Sequence, residues 1–225
     1  MNSPRNAFTH YLDELASQVL ILSSMVHQTL LKAMQGLKTH NHTIADQVIV
    51  FDQKVNEKRY QIENEVITLI ATQQPAGRDV RLLIAILEII TELERIGDYA
   101  KGISKITLLI PEDAVDLVVI NELELMADKG LAMLQRALDA FVNHDVALAR
   151  SIPKEDDEVD ALYNEVHHRL IDLVLIDNNF VKMADYLLWA AHNLERLADR
   201  VTNICERTVY VYTGEMKELD DLRDN

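Results

Sequence analysis

A charged hexapeptide that occurs twice constrains the fold of this chain more than any other feature. The first copy, LERIGD, spans residues 93–98, and the second, LERLAD, spans residues 194–199. Each copy follows a stretch in which apolar residues recur every three or four positions, as they do on one face of a helix. A repeated motif with similar flanks indicates an internal duplication, and therefore two structural units of comparable size.

The rarity of helix-breaking residues predicts long helices. The 225 residues include only six Gly and four Pro, and the apolar positions have helical spacing almost throughout. We predict an all-α chain of two tandem three-helix bundles with pseudo-two-fold symmetry, one covering residues 1–109 and the other residues 110–225. The turn at residues 143–145 is expected to repeat the turn at residues 41–43. The predicted helices cover about residues 3–39, 43–71, 78–109, 115–142, 146–176 (disturbed near Pro153) and 181–212.

The charge and the cysteine content narrow the class of function. A formal net charge of −15 argues against nucleic acid, which needs a concentrated basic patch, and against binding to anionic lipid. The single Cys205 excludes an intramolecular disulfide and a cysteine-based zinc site, and its helical position predicts a buried thiol. No apolar stretch reaches the roughly 20 residues of a membrane span, and no signal region begins the chain, so a cytoplasmic protein is expected.

The carboxylates of the repeated motif continue an apolar stripe. At 100° per residue, Leu87 lies about 20° and Asp98 about 40° from Glu94, both on the same side. We therefore expect Glu94 and Asp98, like their counterparts Glu195 and Asp199, to face the interior of the bundle. Because unpaired buried carboxylates are costly, a cation must meet them, either arginine, lysine or a metal ion.

The helical hairpins predict which residues face the motif. In each half, the turn before the third helix brings an acidic or amide pair, spaced i, i+4, level with the motif. The predicted oxygen-rich sets are Asp52, Asn56, Glu94 and Asp98 in the first half, and Asp156, Asp160, Glu195 and Asp199 in the second. Such sets suit magnesium, calcium or manganese and, with histidine, iron or zinc. The alternative is a set of inter-helix salt bridges to Arg59, Arg95 and Arg196.

Two other functional classes remain open at this point. A di-metal carboxylate enzyme of the oxidase type needs paired Glu-x-x-His motifs, whereas His192-x-x-Glu195 is single and reversed. No Ser/His/Asp set, Gly-rich phosphate loop or cysteine nucleophile is recognisable, so we predict that the chain is not an enzyme. The third class is a structural helical scaffold whose acidic pairs contact arginines and bind no metal.

The turn QQPAGRDVR at residues 73–81, followed by the first hexapeptide, resembles the PhoU family, the accessory regulators of phosphate-specific transport. The run NLERLADRVTNI at residues 193–204 resembles the signature of that family's second repeat, and the resemblance covers essentially the whole chain. It implies two three-helix bundles whose E(D)xxxD motifs can carry multinuclear metal clusters. The motif positions are those of the two oxygen-rich sets.

The resemblance also implies a function and partners. Family members are negative regulators of the phosphate-starvation response, act with the ATP-binding subunit of the phosphate ABC transporter and with a sensor histidine kinase, and are often homodimers. Three departures distinguish this chain from the family pattern. Asn56 replaces a carboxylate, His192 stands where arginine is common, and Asp79-Val80-Arg81 has no counterpart in the second repeat. We therefore expect weaker metal binding in the first half than in the second.

Overall fold

The protein is all α-helical in the part of the chain that the structure, a computed structural model, describes: residues 4–111, 117–215 and 219. The predicted helix starts at residues 3 and 115 lie outside these residues. The elements in chain order are α1 (Pro4–Lys38), α2 (His42–Gln73), α3 (Arg78–Leu109), α4 (Leu117–Asn143), α5 (Val146–Ser151), a 3-10 segment (Ile152–Glu155), α6 (Asp156–Ile176), a 3-10 turn (Asn178–Phe180) and α7 (Val181–Thr213).

The helices form two bundles, as the duplicated sequence predicts. Helices α1, α2 and α3 pack against one another, and so do α4, α6 and α7, while α5 extends the start of the α6 arm. Buried aliphatic side chains at helical spacing, such as Leu15, Val19 and Leu22 on α1, fill each bundle. In the described residues, no helix combines the length and apolarity that a membrane crossing needs.

The turns before α2 and before α5 share one conformation. His40 and His144 both have positive φ, at 46° and 63°. The next residue, Asn41 or Asp145, accepts a hydrogen bond in its side chain from the backbone N–H three residues on, at 3.1 and 2.9 Å. Each therefore caps a new helix. The predicted match of residues 143–145 to 41–43 is wrong by two positions, because His144-Asp145 corresponds to His40-Asn41.

Pro153 interrupts the second arm of the second bundle. Helix α5 ends at Ser151, and residues Ile152–Glu155 form a 3-10 segment before α6 begins. Proline lacks a backbone N–H and clashes with the carbonyl of the preceding helical turn, so a continuous α-helix is unfavourable here. The predicted disturbance near Pro153 is confirmed, and it leaves Asp156 as the first residue of α6.

Helices α3 and α7 pack against each other and join the two bundles. Arg200 Nη1 lies 3.4 Å from Glu92 Oε2, and Arg207 Nε lies 3.1 Å from Glu88 Oε2. Because higher numbers on α7 pair with lower numbers on α3, the two helices run antiparallel. Continuing this register along both helices brings the two hexapeptides level with each other, at the pseudo-two-fold centre of the molecule.

The single cysteine is a core residue that lies near Arg136 of α4 and Glu155 of the 3-10 segment. Cys205, on α7, is fully buried, which confirms the prediction from its spacing. Burial raises the pKa of its thiol to about 12, since the thiolate would lose its hydration. A thiol of this kind is inert at neutral pH and acts as a small apolar core residue.

Candidate metal centres

In the first bundle, the predicted residues of α2 and α3 meet at a buried carboxylate. Asp52 is only 4% exposed, and Lys101 Nζ donates a hydrogen bond to its Oδ2 at 2.6 Å. The amide of Asn56 donates to the same oxygen at 3.2 Å, and Lys101 Nζ lies 3.7 Å from Asp98 Oδ1. The hydrogen bond to Asp52 raises the pKa of Lys101, because it favours the charged ammonium. We call Asp52, Asn56, Glu94 and Asp98 the first acidic set.

Glu94 completes the first acidic set. Burial raises the pKa of Glu94, and the charges of Asp98 and Asp52 act in the same direction, while Arg59 and Arg95 oppose them. The side chain of Asp98 is 49% exposed, so the prediction that it faces the interior is wrong. Asp98 lies about 40° around the helix from Glu94, which places it at the edge of the groove between the helices rather than beneath a neighbour.

The second bundle has an equivalent arrangement on α6 and α7. Burial raises the pKa of Glu195, and the charge of Asp199 and then that of Asp160 raise it further, so the three carboxylates are close enough to interact. Asp156, one turn before Asp160, is 7% exposed. His192 Nδ1 lies 3.2 Å from Glu195 Oε2, which places an imidazole beside the cluster. We call Asp156, Asp160, Glu195 and Asp199 the second acidic set.

Replacing Glu195 with Gln is expected to stabilise the metal-free protein at neutral pH. Folding raises the pKa of Glu195, so the stability linked to this group is present below the unfolded pKa and is lost as pH rises through the folded pKa. At pH 7 the ionised carboxylate therefore opposes folding, and a Gln of nearly the same shape removes that charge. Urea unfolding with EDTA present should give a higher midpoint for Glu195→Gln than for the wild type.

Glu158 provides a matched control, because its pKa is shifted in the direction opposite to that of Glu195. Its ion pair with Lys129 lowers the pKa of Glu158, so its charge favours the folded state above the unfolded pKa. Because Glu158 is exposed, the effect is small, and Glu158→Gln should leave the urea midpoint unchanged or slightly lower. A urea midpoint for Glu195→Gln below that of the wild type would contradict the prediction that the charge of Glu195 opposes folding.

The cation of the first acidic set was not identified from the sequence. The three arginines named as alternatives to metal do not contact Asp52; Arg59 instead lies 3.4 Å from Glu63 Oε2. Lys101 follows Glu94 by seven residues and therefore lies on the same stripe, about 20° away. The i, i+7 spacing of Glu94 and Lys101 is the sequence signal that could have placed Lys101 beside the acidic set.

The donor chemistry of both sets fits a hard cation. Carboxylate and amide oxygens predominate, and the buried Oδ1 of Asp52 has no hydrogen-bond partner among the described residues. Within residues 4–111 and 117–215, no three His, Cys, Asp or Glu side chains are arranged closely enough to coordinate one ion as they stand. Coordination therefore requires partly exposed carboxylates, such as Asp98 and Asp199, to change rotamer.

Comparison with known sequences matches both bundles to the same protein family. The model of the PhoU domain matches this chain twice, at residues 19–107 and 123–208, so each match covers one bundle. A relative from Clostridium acetobutylicum, described as a phosphate-specific transport system accessory protein PhoU homolog, is 35% identical over 219 residues, which cover 96% of this chain and 99% of the relative. A homolog with the same description from Streptococcus pneumoniae is 33% identical over 216 residues.

Solved structures agree with the sequence comparison. The crystal structure of the phosphate transport system regulatory protein PhoU from Streptococcus pneumoniae covers 93% of this chain with a TM-score of 0.83 and 31% identity. The crystal structure of PhoU from Pseudomonas aeruginosa covers 92% of this chain with a TM-score of 0.86 and 29% identity. With the duplicated domain, the full-length relatives and the shared bundles in agreement, the chain belongs to the PhoU family.

Proposed function

We propose that this protein is a cytoplasmic, non-enzymatic negative regulator of phosphate uptake and of the phosphate-starvation response. In this role it acts as a metal-binding adaptor between the ATP-binding subunit of a phosphate ABC transporter and a sensor histidine kinase. Membership of a family whose relatives are described as accessory proteins of phosphate-specific transport supports this role. A homodimer is the proposed form of the protein.

The metal-binding part of the proposed function is supported by the presence of one acidic set in each bundle. Each bundle buries one aspartate of its second arm, Asp52 or Asp156, at the level of a glutamate whose pKa is raised by burial. A structure that only needed stability would gain more from apolar residues at these positions, since buried charge is costly. Iron, zinc, manganese or magnesium would be held by the oxygens of Asp52, Asn56, Glu94 and Asp98, and of Asp156, Asp160, Glu195 and Asp199.

The same residues connect the metal to partner binding. Asp98 is exposed at the groove edge, and Asp199 is partly exposed at the equivalent place. A bound cation would neutralise part of the acidic surface around them, which changes the affinity of that surface for a charged partner. We therefore propose that the motif-bearing faces contact the transporter and the kinase.

Loss of both motif aspartates is expected to abolish repression. The variant with Asp98→Asn and Asp199→Asn keeps the shape of both side chains but removes one charge from each set, so metal binding and partner binding should weaken together. In cells grown with ample phosphate, a reporter of the phosphate-starvation response should rise from its repressed level to the level of cells that lack the protein.

The matched control removes the same charge elsewhere. Asp46→Asn combined with Asp139→Asn changes one exposed aspartate in each bundle away from both motifs, and this variant should repress as the wild type does. Circular dichroism of both variants should show the helical content of the wild type. A folded Asp98→Asn, Asp199→Asn variant that still represses fully would refute the proposed signalling surface.

One contact favours the second candidate, a scaffold without metal, for half of the molecule. The ammonium of Lys101 already provides Asp52 with a cation at 2.6 Å. In the first bundle, therefore, the acidic set has a counter-ion of its own.

A further inference from the structure

We propose that the outer face of the α1–α2 hairpin binds the same face of a second copy of this chain, with the two hairpins antiparallel. The outer face is the solvent side of the groove between α1 and α2. Its defining residues are Glu14, Ile21 and Lys32 on α1, and Val50, Lys54 and Glu65 on α2. The inference rests on the homodimer named in the proposed function, to which it gives an interface and an orientation.

Two cavities open along the outer face, one toward each end of the hairpin. Near the turn, a cavity of about 540 Å³ is lined by Lys32, Val50 and Lys54. Toward the far end, a cavity of about 460 Å³ is lined by Glu14 and Glu65. Glu14 and Lys32 are separated by about five helical turns, so they point in the same direction and both cavities open on one face.

In the second bundle, ion pairs close the equivalent face. The turns before α2 and α5 place equivalent residues of the two bundles 104 positions apart. Glu158 therefore takes the place of Lys54. Arg169 takes the place of Glu65 in the same way, and both side chains are engaged within their own bundle. The ion pairs that join α4 to the second arm are Glu122–Arg169, Lys129–Glu158 and Arg136–Glu155.

In the first bundle, the charges of this face have no ion-pair partners. No ion pair joins residues 8–38 of α1 to residues 42–73 of α2. Among the residues that the structure describes, no oppositely charged side chain lies within ion-pair distance of Glu14, Lys32 or Lys54. These three charges are therefore available to pair with another molecule.

The charge of the outer face changes sign between its two ends. Near the turn, Lys32 and Lys54 outnumber Asp46, so this end is positive. At the far end, Glu14 and Glu65 make the charge negative. A surface that binds its own copy must be complementary to itself about a two-fold axis. Opposite charges at the two ends meet that condition when the two hairpins run antiparallel.

The centre of the outer face is close to neutral and includes an exposed apolar side chain. Glu14 and Lys32 are about 27 Å apart along α1, at about 1.5 Å per residue. Ile21 lies between them, within about 20° of both around the helix. At about the same level on α2, the charges of Glu57 and Lys58 offset each other. A two-fold axis near Ile21 therefore brings Lys32 of each copy to Glu14 of the other.

A second copy fits the outer face better than a lipid surface or an unrelated helix does. The acidic far end repels anionic headgroups. A helix from another protein would need basic and acidic ends at the same spacing, which a second copy supplies by its own sequence. Association would also cover Ile21 and Val50, which are 53% and 71% exposed. The net charge of −15 on each copy opposes association, but screening over about 8 Å at physiological ionic strength leaves the contacting charges dominant.

Exchanging the charges on α1 tests the interface. The full-length wild type, Lys32→Glu, Glu14→Lys and the double variant would be compared by sedimentation velocity over a range of concentrations at physiological ionic strength. The wild type should sediment as a dimer. Each single variant should weaken the dimer by about tenfold or more, because two contacts per dimer change from attraction to repulsion. The double variant should dimerise as the wild type does.

An equimolar mixture of the two single variants tests the antiparallel orientation. In a heterodimer, one copy is acidic at both positions and the other is basic at both, so the mixture should regain the wild-type dimer. Lys105→Glu and Glu165→Lys make the same charge changes at exposed positions of α3 and α6 and should leave the dimer unchanged. Circular dichroism of every variant should show the wild-type helical content. Lys32→Gln or Glu14→Gln replaces a single variant that does not fold and should weaken the dimer less.

Several outcomes would overturn the inference. A dimer that neither single variant weakens would leave the homodimer standing but place its interface elsewhere. A mixture of the single variants that does not associate, or a monomeric double variant, would refute the antiparallel pairing. A wild type that is monomeric at every concentration would refute both the interface and the homodimer. If Lys32→Glu then released the phosphate-starvation reporter, the face would belong to a different protein.

The reporter also separates this inference from the proposed function. A monomeric wild type that represses the reporter would leave the regulatory function standing without this interface. A wild type that dimerises and responds to charge exchange as expected, but does not repress, would leave the interface standing and refute the regulatory function.

Discussion

Chelation is expected to lower the melting temperature of the metal-loaded wild type by about 5–10 °C. A ligand that binds only the native state stabilises it by about 2.7 kcal/mol at 100 times its dissociation constant. In a chain of this size, each kcal/mol shifts the Tm by about 2–4 °C. Without the cation, the charges of Asp199 and Asp160 also repel that of Glu195, an effect that adds to burial in raising the pKa of Glu195. Thermal circular dichroism with and without EDTA, at one protein concentration, measures the shift.

The Asp199→Asn variant locates that stabilisation in the second acidic set. Removing one carboxylate weakens the site and should reduce the EDTA-dependent shift to less than half of the wild-type value. Asp139→Asn makes the same charge change at an exposed position on α4 and should keep the full shift. An equal shift in all three proteins would place the metal elsewhere, and no shift in protein shown to contain metal would contradict the coupling of metal to folding.

The fold was predictable because it depends on the spacing of apolar residues and on the positions of helix-breaking residues. Apolar residues at three- and four-residue spacing predict the buried stripes of the helices, and the Gln74-Pro75 turn predicts which residues of α2 and α3 lie level. The contact of Lys101 on α3 with Asp52 on α2 agrees with that register. The two-fold relation of the bundles followed from one repeated hexapeptide, since equivalent residues of a duplicated chain occupy equivalent places.

The exposure of individual side chains was less predictable. Helical periodicity gives the direction in which Asp98 points, but not how far the neighbouring helix covers it, and the structure leaves it half exposed. The matching of the turns failed by two residues for a related reason. Sequence similarity suggested one offset, whereas the positive φ of His40 and His144 and the capping side chains after them fix another.

The acidic sets were predicted more accurately than their counter-ions. A carboxylate on an apolar stripe signals the need for a cation, because burial of an unpaired charge is costly. The identity of the cation depends on the reach of long flexible side chains, which sequence spacing constrains weakly. Lys101 reaches Asp52 across the groove between two helices, while Arg196 packs its guanidinium over the ring of Tyr99 at 5.2 Å.

Leu197→Ala is expected to destabilise the protein by about 3 kcal/mol, within the range of about 2–5 kcal/mol for Leu→Ala in a core. Leu197 lies inside the second hexapeptide, is almost fully buried, and packs α7 against α4 at Gly130. Because Gly130 has no side chain, it cannot fill the space that truncation of Leu197 leaves. The Tm should fall by about 6–12 °C, at about 2–4 °C per kcal/mol.

A double-mutant cycle with Gly130 tests whether that contact carries the effect. A Cβ on Gly130 would lie 2.5 Å from Leu197 Cδ2, so Gly130→Ala alone should destabilise by about 1 kcal/mol, since overpacking outweighs the gain in helix propensity. In the Leu197→Ala background the same methyl group fills vacated space, and the double variant should be about 1–2 kcal/mol more stable than additivity predicts. Gly36→Ala, whose Cβ would have its nearest contact at 3.4 Å, is the control and should be neutral or stabilising in both backgrounds. Additive effects at Gly130 and Leu197 would show that α4 and α7 do not rely on this contact.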